Sequence, residues 1–125
     1  MATFPVFLFS IYRIFDLFIH FYLYILEFRI KKNTSGFNQI DFGAERDTQG
    51  FYQLAKRIER ILDIQFSKKT DHFNTLVWNY SYHGVPFVLC YHWDAGTYIR
   101  PQNAEPTPDD ELKLEEIISI LKVYL

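Results

Sequence analysis

Cys90 and His92 are the residues best placed by type and spacing to do chemistry. Side chains two apart on an extended strand share a face, so an imidazole would stand beside a thiol, the arrangement that generates a thiolate nucleophile. A following strand would bring Tyr98 and Arg100 next to them. The sequence supplies no third group to orient the imidazole and no oxyanion hole, and a small cysteine in a strand is ordinarily packing. A Cys/His hydrolase is thus the weakest functional reading, and no enzymatic activity is expected.

Metal chemistry has a similarly thin basis. Asp71, His72, His92 and Asp94 fall near one end of a hairpin, and two His with two carboxylates could ligate zinc. Their spacing matches no compact ligand motif, and polar residues gather at strand ends in any case. There is no phosphate-cradling glycine loop, no G-x-S-x-G and no H-E-x-x-H, so neither a metal nor a cofactor is expected. Cys90 is the single cysteine, which excludes an intrachain disulfide and favours a reducing compartment.

The charged residues offer a different kind of site. Glu105, Asp109, Asp110, Glu111, Glu115 and Glu116 stand against Lys113 alone in residues 103–116, whereas residues 29–69 hold nine Lys/Arg and five Asp/Glu. Acids at a helix start usually serve the helix itself. Their functional reading is an electrostatic docking surface for a basic protein, with Asp109, Asp110, Glu111 and Glu116 as its partner-binding residues. A net charge of −2 and no basic run longer than two residues argue against nucleic acid.

These residues need elements to hold them, and 125 residues suffice for one core. The firmest element is a hairpin from Leu76 to Trp93. With His83-Gly84 as a two-residue turn, glycine supplying the positive φ, residues whose numbers sum to 167 face each other. One face then carries Leu76, Trp78, Tyr80, Tyr82, Val85, Phe87, Leu89, Tyr91 and Trp93, aromatic enough to require burial. The other carries Thr75, Val77, Asn79, Ser81, Pro86, Val88, Cys90 and His92.

Ahead of the hairpin, residues 37–42 read as a strand ending at Gly43. Phe51, Leu54, Ala55, Ile58, Ile61 and Leu62 follow helical spacing behind an Asp47 cap. Ile64 and Phe66 suggest a strand running to Lys68-Lys69, with residues 69–74 as a loop. After it, Asp94-Ala95-Gly96 turns the chain into a strand over Thr97 to Arg100. Thr107 and Pro108 open a last helix whose apolar stripe is Leu114, Ile117, Ile118, Leu121 and Leu125. The expected fold is α+β: an antiparallel β-meander packed against two helices, in the order strand, helix, four strands, helix. It occupies residues 37–125 and is preceded by a hydrophobic N-terminal helix within residues 1–28.

That N-terminal segment follows other rules, with ten of the 24 aromatic residues in its 28 positions. Residues 4–26 are long enough to span a bilayer. Their fifteen Leu, Ile, Phe and Val contribute about −5 to −9 kcal/mol, which Arg13 and Asp16 offset by about +5 to +7 kcal/mol. Three readings follow: a membrane-associated helix, a start codon assigned too early, or a helix packed on the domain. No basic n-region precedes the segment and no cleavage site follows it, so export is not expected. Arg29, Lys31 and Lys32 behind it would leave the domain on the cytoplasmic side of an inner membrane.

The runs GFYQLAKRIERIL, NTLVWNYSYHGVPFVLCYHWDAGTYI and DDELKLEEIISIL together resemble small bacterial α+β domains of the polymorphic-toxin immunity-protein type. The resemblance covers about residues 40–122 and transfers no site residue. With the lack of a catalytic constellation and the segregated acidic patch, the expected function is a cytoplasmic, non-enzymatic protein-binding module, and the resemblance implies its narrower form, an immunity protein that neutralises a basic toxin. A membrane-anchored small protein held by residues 4–26 is the alternative.

Overall fold

The computed structural model describes residues 28–43 and 48–125. The element order is β1 (Arg29–Lys32), β2 (Asn38–Asp41), α1 (Thr48–Leu62), β3 (Lys68–Asp71), β4 (Thr75–Tyr82), β5 (Val85–His92), β6 (Gly96–Pro101) and α2 (Pro108–Tyr124). The strands form one antiparallel sheet in the order β1-β2-β6-β5-β4-β3. The α+β class and the strand, helix, strands, helix succession expected from the sequence are present. The expected N-terminal helix, and the Asp47 cap of α1, lie outside the described residues.

The centre of the sheet is the expected hairpin. His83 at φ 48° and Gly84 at φ 80° both take the left-handed conformation that a tight two-residue turn requires, and the register runs from Tyr82 opposite Val85 to Thr75 opposite His92. Every residue from Leu76 to Tyr82 and from Val85 to Tyr91 on the expected inner face is buried. Trp93 departs from this pattern. It belongs to the β5–β6 turn, outside the strand pleat, and is 57% exposed.

One hydrophobic core lies between that face and the two helices. The stripes of α1 (Phe51, Leu54, Ala55, Ile58, Leu62) and α2 (Leu114, Ile117, Ile118, Leu121) are buried as their spacing dictates. α2 lies over β2 and β6 while α1 reaches β5. Trp78 knits α1 to the hairpin: its ring meets Phe51 and Phe66 edge-on at 5.1 and 5.2 Å, Lys69 Nζ sits 4.4 Å above it, and its indole N–H donates to Asp71 Oδ1 at 2.8 Å. α1 ends where Asp63 turns to φ 52° and the Ile64 N–H donates to the Glu59 carbonyl at 3.1 Å, the left-handed cap that satisfies a late helical carbonyl.

Three expectations about strands need correction. β1 lies ahead of residue 37 and contributes Ile30 opposite Ile40, with Phe28 buried beside it and stacked on Phe42 at 5.5 Å. β3 is Lys68–Asp71, placed in the expected loop, while Ile64 and Phe66 pack on the core without joining a strand. The reason is common to both. β1 and β3 are edge strands, where charge discourages pairing with other chains, so RIKK and KKTD lack the alternation by which a strand is read. Finally, Gly96, at φ 83°, already pairs with His92, so the turn comprises Trp93, Asp94 and Ala95.

Among the described residues, the Tyr80 and Thr97 hydroxyls are buried without a hydrogen-bond partner. Burial drives the Tyr80 phenol far above its ordinary pKa, and the neighbouring Cys90 adds to this. A buried hydroxyl that gains no bond is a net loss. Tyr80→Phe is therefore expected to stabilise the domain by about 1 kcal/mol in chemical denaturation; a comparable loss would mean that the hydroxyl is bonded.

Candidate functional site

The residues singled out for chemistry divide into two groups once folded. Cys90 stands directly opposite Tyr98 on β6, and Tyr98 and Arg100 lie near enough to its thiol to pull its pKa down. His92 does not join them. It pairs with Gly96 in the ladder, and its Nδ1 is engaged with the Asp94 carboxylate in the turn. The thiol-imidazole couple that a hydrolase would use is not formed.

The environment of Cys90 also opposes reactivity. The side chain is only 2% exposed, and burial raises the thiol pKa more than Arg100 lowers it. Tyr98 is likewise raised, first by burial and then by Cys90. Because the thiolate is the reactive species, iodoacetamide in mildly alkaline buffer is expected to leave Cys90 unmodified in the folded protein and to alkylate it fully after unfolding in guanidinium. Intact mass reads the difference; prompt labelling of the folded chain would reverse this assignment.

At the opposite end of the hairpin from His83-Gly84, Asp71 accepts from Trp78 and Asp94 is held by His92. Among the described residues, no three His, Cys, Asp or Glu side chains converge as metal ligands.

The acidic helix is more differentiated than its composition. Thr107 caps α2 in an extended conformation, with its hydroxyl accepting from the Asp110 N–H at 3.2 Å, while Asp110 Oδ2 accepts from the Thr107 N–H at 2.9 Å and from Asn103 Nδ2 at 3.1 Å. This is a capping box. Asp110 is 5% exposed, so its carboxylate serves the helix start and is not presented to a partner. The bond from the Thr107 backbone, assisted by Asn103, holds its pKa below the ordinary carboxylate value. Asp109 is exposed and Glu111 half-buried, so both remain at the surface.

A folded pKa below the unfolded one means that the carboxylate stabilises the protein fully above about pH 3.9 and loses that contribution as pH falls through its lower folded value. Asp110→Ala is expected to cost about 1 kcal/mol near neutrality. The deficit should shrink on acidification in denaturation curves taken across pH; a deficit independent of pH would show that the charge plays no part.

Farther along α2 the fold assembles a surface that the acidic stretch alone did not reveal. Tyr82, at the end of β4, meets Leu112, Glu115, Glu116, Ser119 and Ile120 around a groove of about 460 Å³. Leu112 is 54% exposed. Glu116 is tethered by Lys113 at 3.3 Å and accepts a long hydrogen bond from the Tyr82 hydroxyl at 3.5 Å. Burial and the Glu116 charge together raise the Tyr82 pKa. The available sequence signal was Leu112 and Ile120 falling outside the stripe of Leu114, Ile117, Ile118 and Leu121. Chemically the groove offers an apolar floor with a carboxylate rim, suited to contact and not to bond making.

No family model, no curated protein and no solved structure matches the chain. The functional case therefore rests on the geometry of these surfaces.

Proposed function

We propose that the chain is a non-enzymatic protein-binding module that receives a basic partner in the α2 groove. The observation that supports this is the groove itself, where exposed Leu112 and half-buried Ile120 lie beside Tyr82, rimmed by Glu115 and Glu116. Apolar anchors desolvated by a partner supply affinity, and the flanking acids supply rate and specificity. Glu111, one turn before Glu115, and Asp109, nearly two turns before Glu116, add acidic charge toward the helix start, and Asp110 is omitted because it closes the cap.

The finer version of this reading is an immunity protein, with a basic toxin domain as the partner. Affinity capture from the native host with wild-type bait, compared with a Leu112→Arg/Glu115→Lys bait, tests both levels. Wild type is expected to retain a partner that the double variant binds at least about tenfold more weakly, with affinity falling as salt rises. Equal capture by both baits would remove the groove. A partner without a toxin domain, encoded away from this gene, would remove the immunity version alone.

A further inference from the structure

The outer face of the sheet is closed at its centre. Val88 and Cys90 alternate with the core-facing Phe87, Leu89 and Tyr91 of β5 and so point away from both helices, yet each is only 2% exposed. Neither belongs to the hydrophobic core that α1 and α2 share with the inner face. Across the ladder Val88 meets Asn79 and Arg100, and Cys90 meets Val77 and Tyr98. Such neighbours shield a side chain laterally and leave its tip to whatever lies above it. Tyr98, the largest of them, is itself half-buried, and burial is the first cause of its raised pKa. Among the described residues, every helix and strand is either part of the sheet or packed on its inner face, so none of them crosses this one.

The sequence that leads into the sheet has the length and pattern to lie there. β1 is an edge strand, and residues 4–26 are separated from Phe28 at its start by Glu27 alone. As a helix, those 23 residues would be about 34 Å long. Six strands spaced by about 4.8 Å give a sheet about 24 Å wide, which such a helix crosses from edge to edge. Apart from tyrosines, the polar side chains of the segment are Ser10, Arg13, Asp16 and His20, spaced by three, three and four residues. That spacing makes one narrow stripe on a helix, with Ile11, Phe15, Phe18 and Tyr22 on the side opposite. A broad apolar side with a single polar stripe suits a helix laid on a protein face; across a bilayer, Arg13 and Asp16 would meet hydrocarbon. Arg29 shares the outer face with Asp41 and Tyr98, so a cation stands where the last carbonyls of such a helix would end.

We propose that residues 4–26 form an amphipathic helix packed across the outer face of the sheet, with Phe15 and Phe18 against Val88 and Cys90 and the stripe of Arg13, Asp16 and His20 in water. The register follows from the strand order. β5 lies three strand spacings from β1, about 14 Å, which is about ten residues of helix counted back from Glu27. The sheet then lies between helices on both faces, and the groove beside Tyr82 on α2 stays open.

The test introduces a second cysteine into the full chain, one position at a time, and oxidises it against Cys90, the only native thiol. Phe15→Cys and Phe18→Cys are expected to close an intrachain disulfide at least about tenfold more completely than Arg13→Cys, Asp16→Cys or His20→Cys, because the bond needs Cβ atoms about 4 Å apart. Intact mass and peptide mapping read the link. A second measurement uses Phe15→Asp/Phe18→Asp in the otherwise native chain, which should speed iodoacetamide labelling of Cys90 about tenfold while the near-ultraviolet circular dichroism of the aromatic core is kept. The proposal is overturned if the stripe positions link as readily as the apolar ones, or if the aspartate pair leaves labelling unchanged. Links formed only between chains would put a second copy on this face and overturn it too. So would the absence of any intrachain link, the result expected if residues 4–26 insert into a membrane.

Discussion

The structure depends on the register of one hairpin. Side chains alternate across a sheet with period two, so a slip of β5 by one residue against β4 would turn Phe87 and Leu89 outward and bring Pro86 and Val88 to the inner face opposite Trp78 and Tyr80. Positive φ at both His83 and Gly84 fixes the turn, and the turn fixes the register. Everything on the inner face follows. α1 and α2 have stripes to bury, and the aromatic face receives both.

With that face committed to the core, the candidate surfaces are left at the ends of the sheet and on the outer side of α2. One end holds the His83-Gly84 turn and the groove beside Tyr82; the other holds Phe73 and Trp93, while a cleft lined by Arg29, Lys31 and Lys32 runs along β1 and β2. The outer face between them contributes little chemistry. Its central thiol is buried beside Tyr98 and Arg100, and His92 is engaged with Asp94 in the turn. A short-range pairing redirects the imidazole, and the couple implied by two-residue spacing does not form.

Charge segregation in the sequence has two separate origins in the fold. Much of the basic excess of residues 29–69 lies in the two edge strands, Arg29–Lys32 and Lys68–Asp71, where lysines blunt exposed backbone edges. The acidic excess near α2 likewise divides between structure and surface. Asp110 is consumed by the capping box, while Glu115 and Glu116 rim the groove. A count of charges along the chain cannot separate these uses, because they differ in burial and partner and not in residue type.

What the sequence determined by itself is what local periodicity and turn chemistry encode. The hairpin and its register, the stripes of both helices, the Thr107-Pro108 start of α2 and the fold class are all readable, since each depends on neighbours within a few turns or strands. Tertiary structure alone decided β1 and β3, which are strands because β2 and β4 offer them backbone partners and not because RIKK or KKTD alternate. It also decided the fate of particular side chains. Trp93 leaves the buried face because the strand ends one residue before it, and Leu112 is left at the surface because α2 turns its other side to the core. Asp110 and Glu116, alike in sequence, part because one closes a helix and the other faces a groove. The candidate surfaces were therefore only partly legible: their residues lie far apart in the chain, and backbone pairing and packing bring them together.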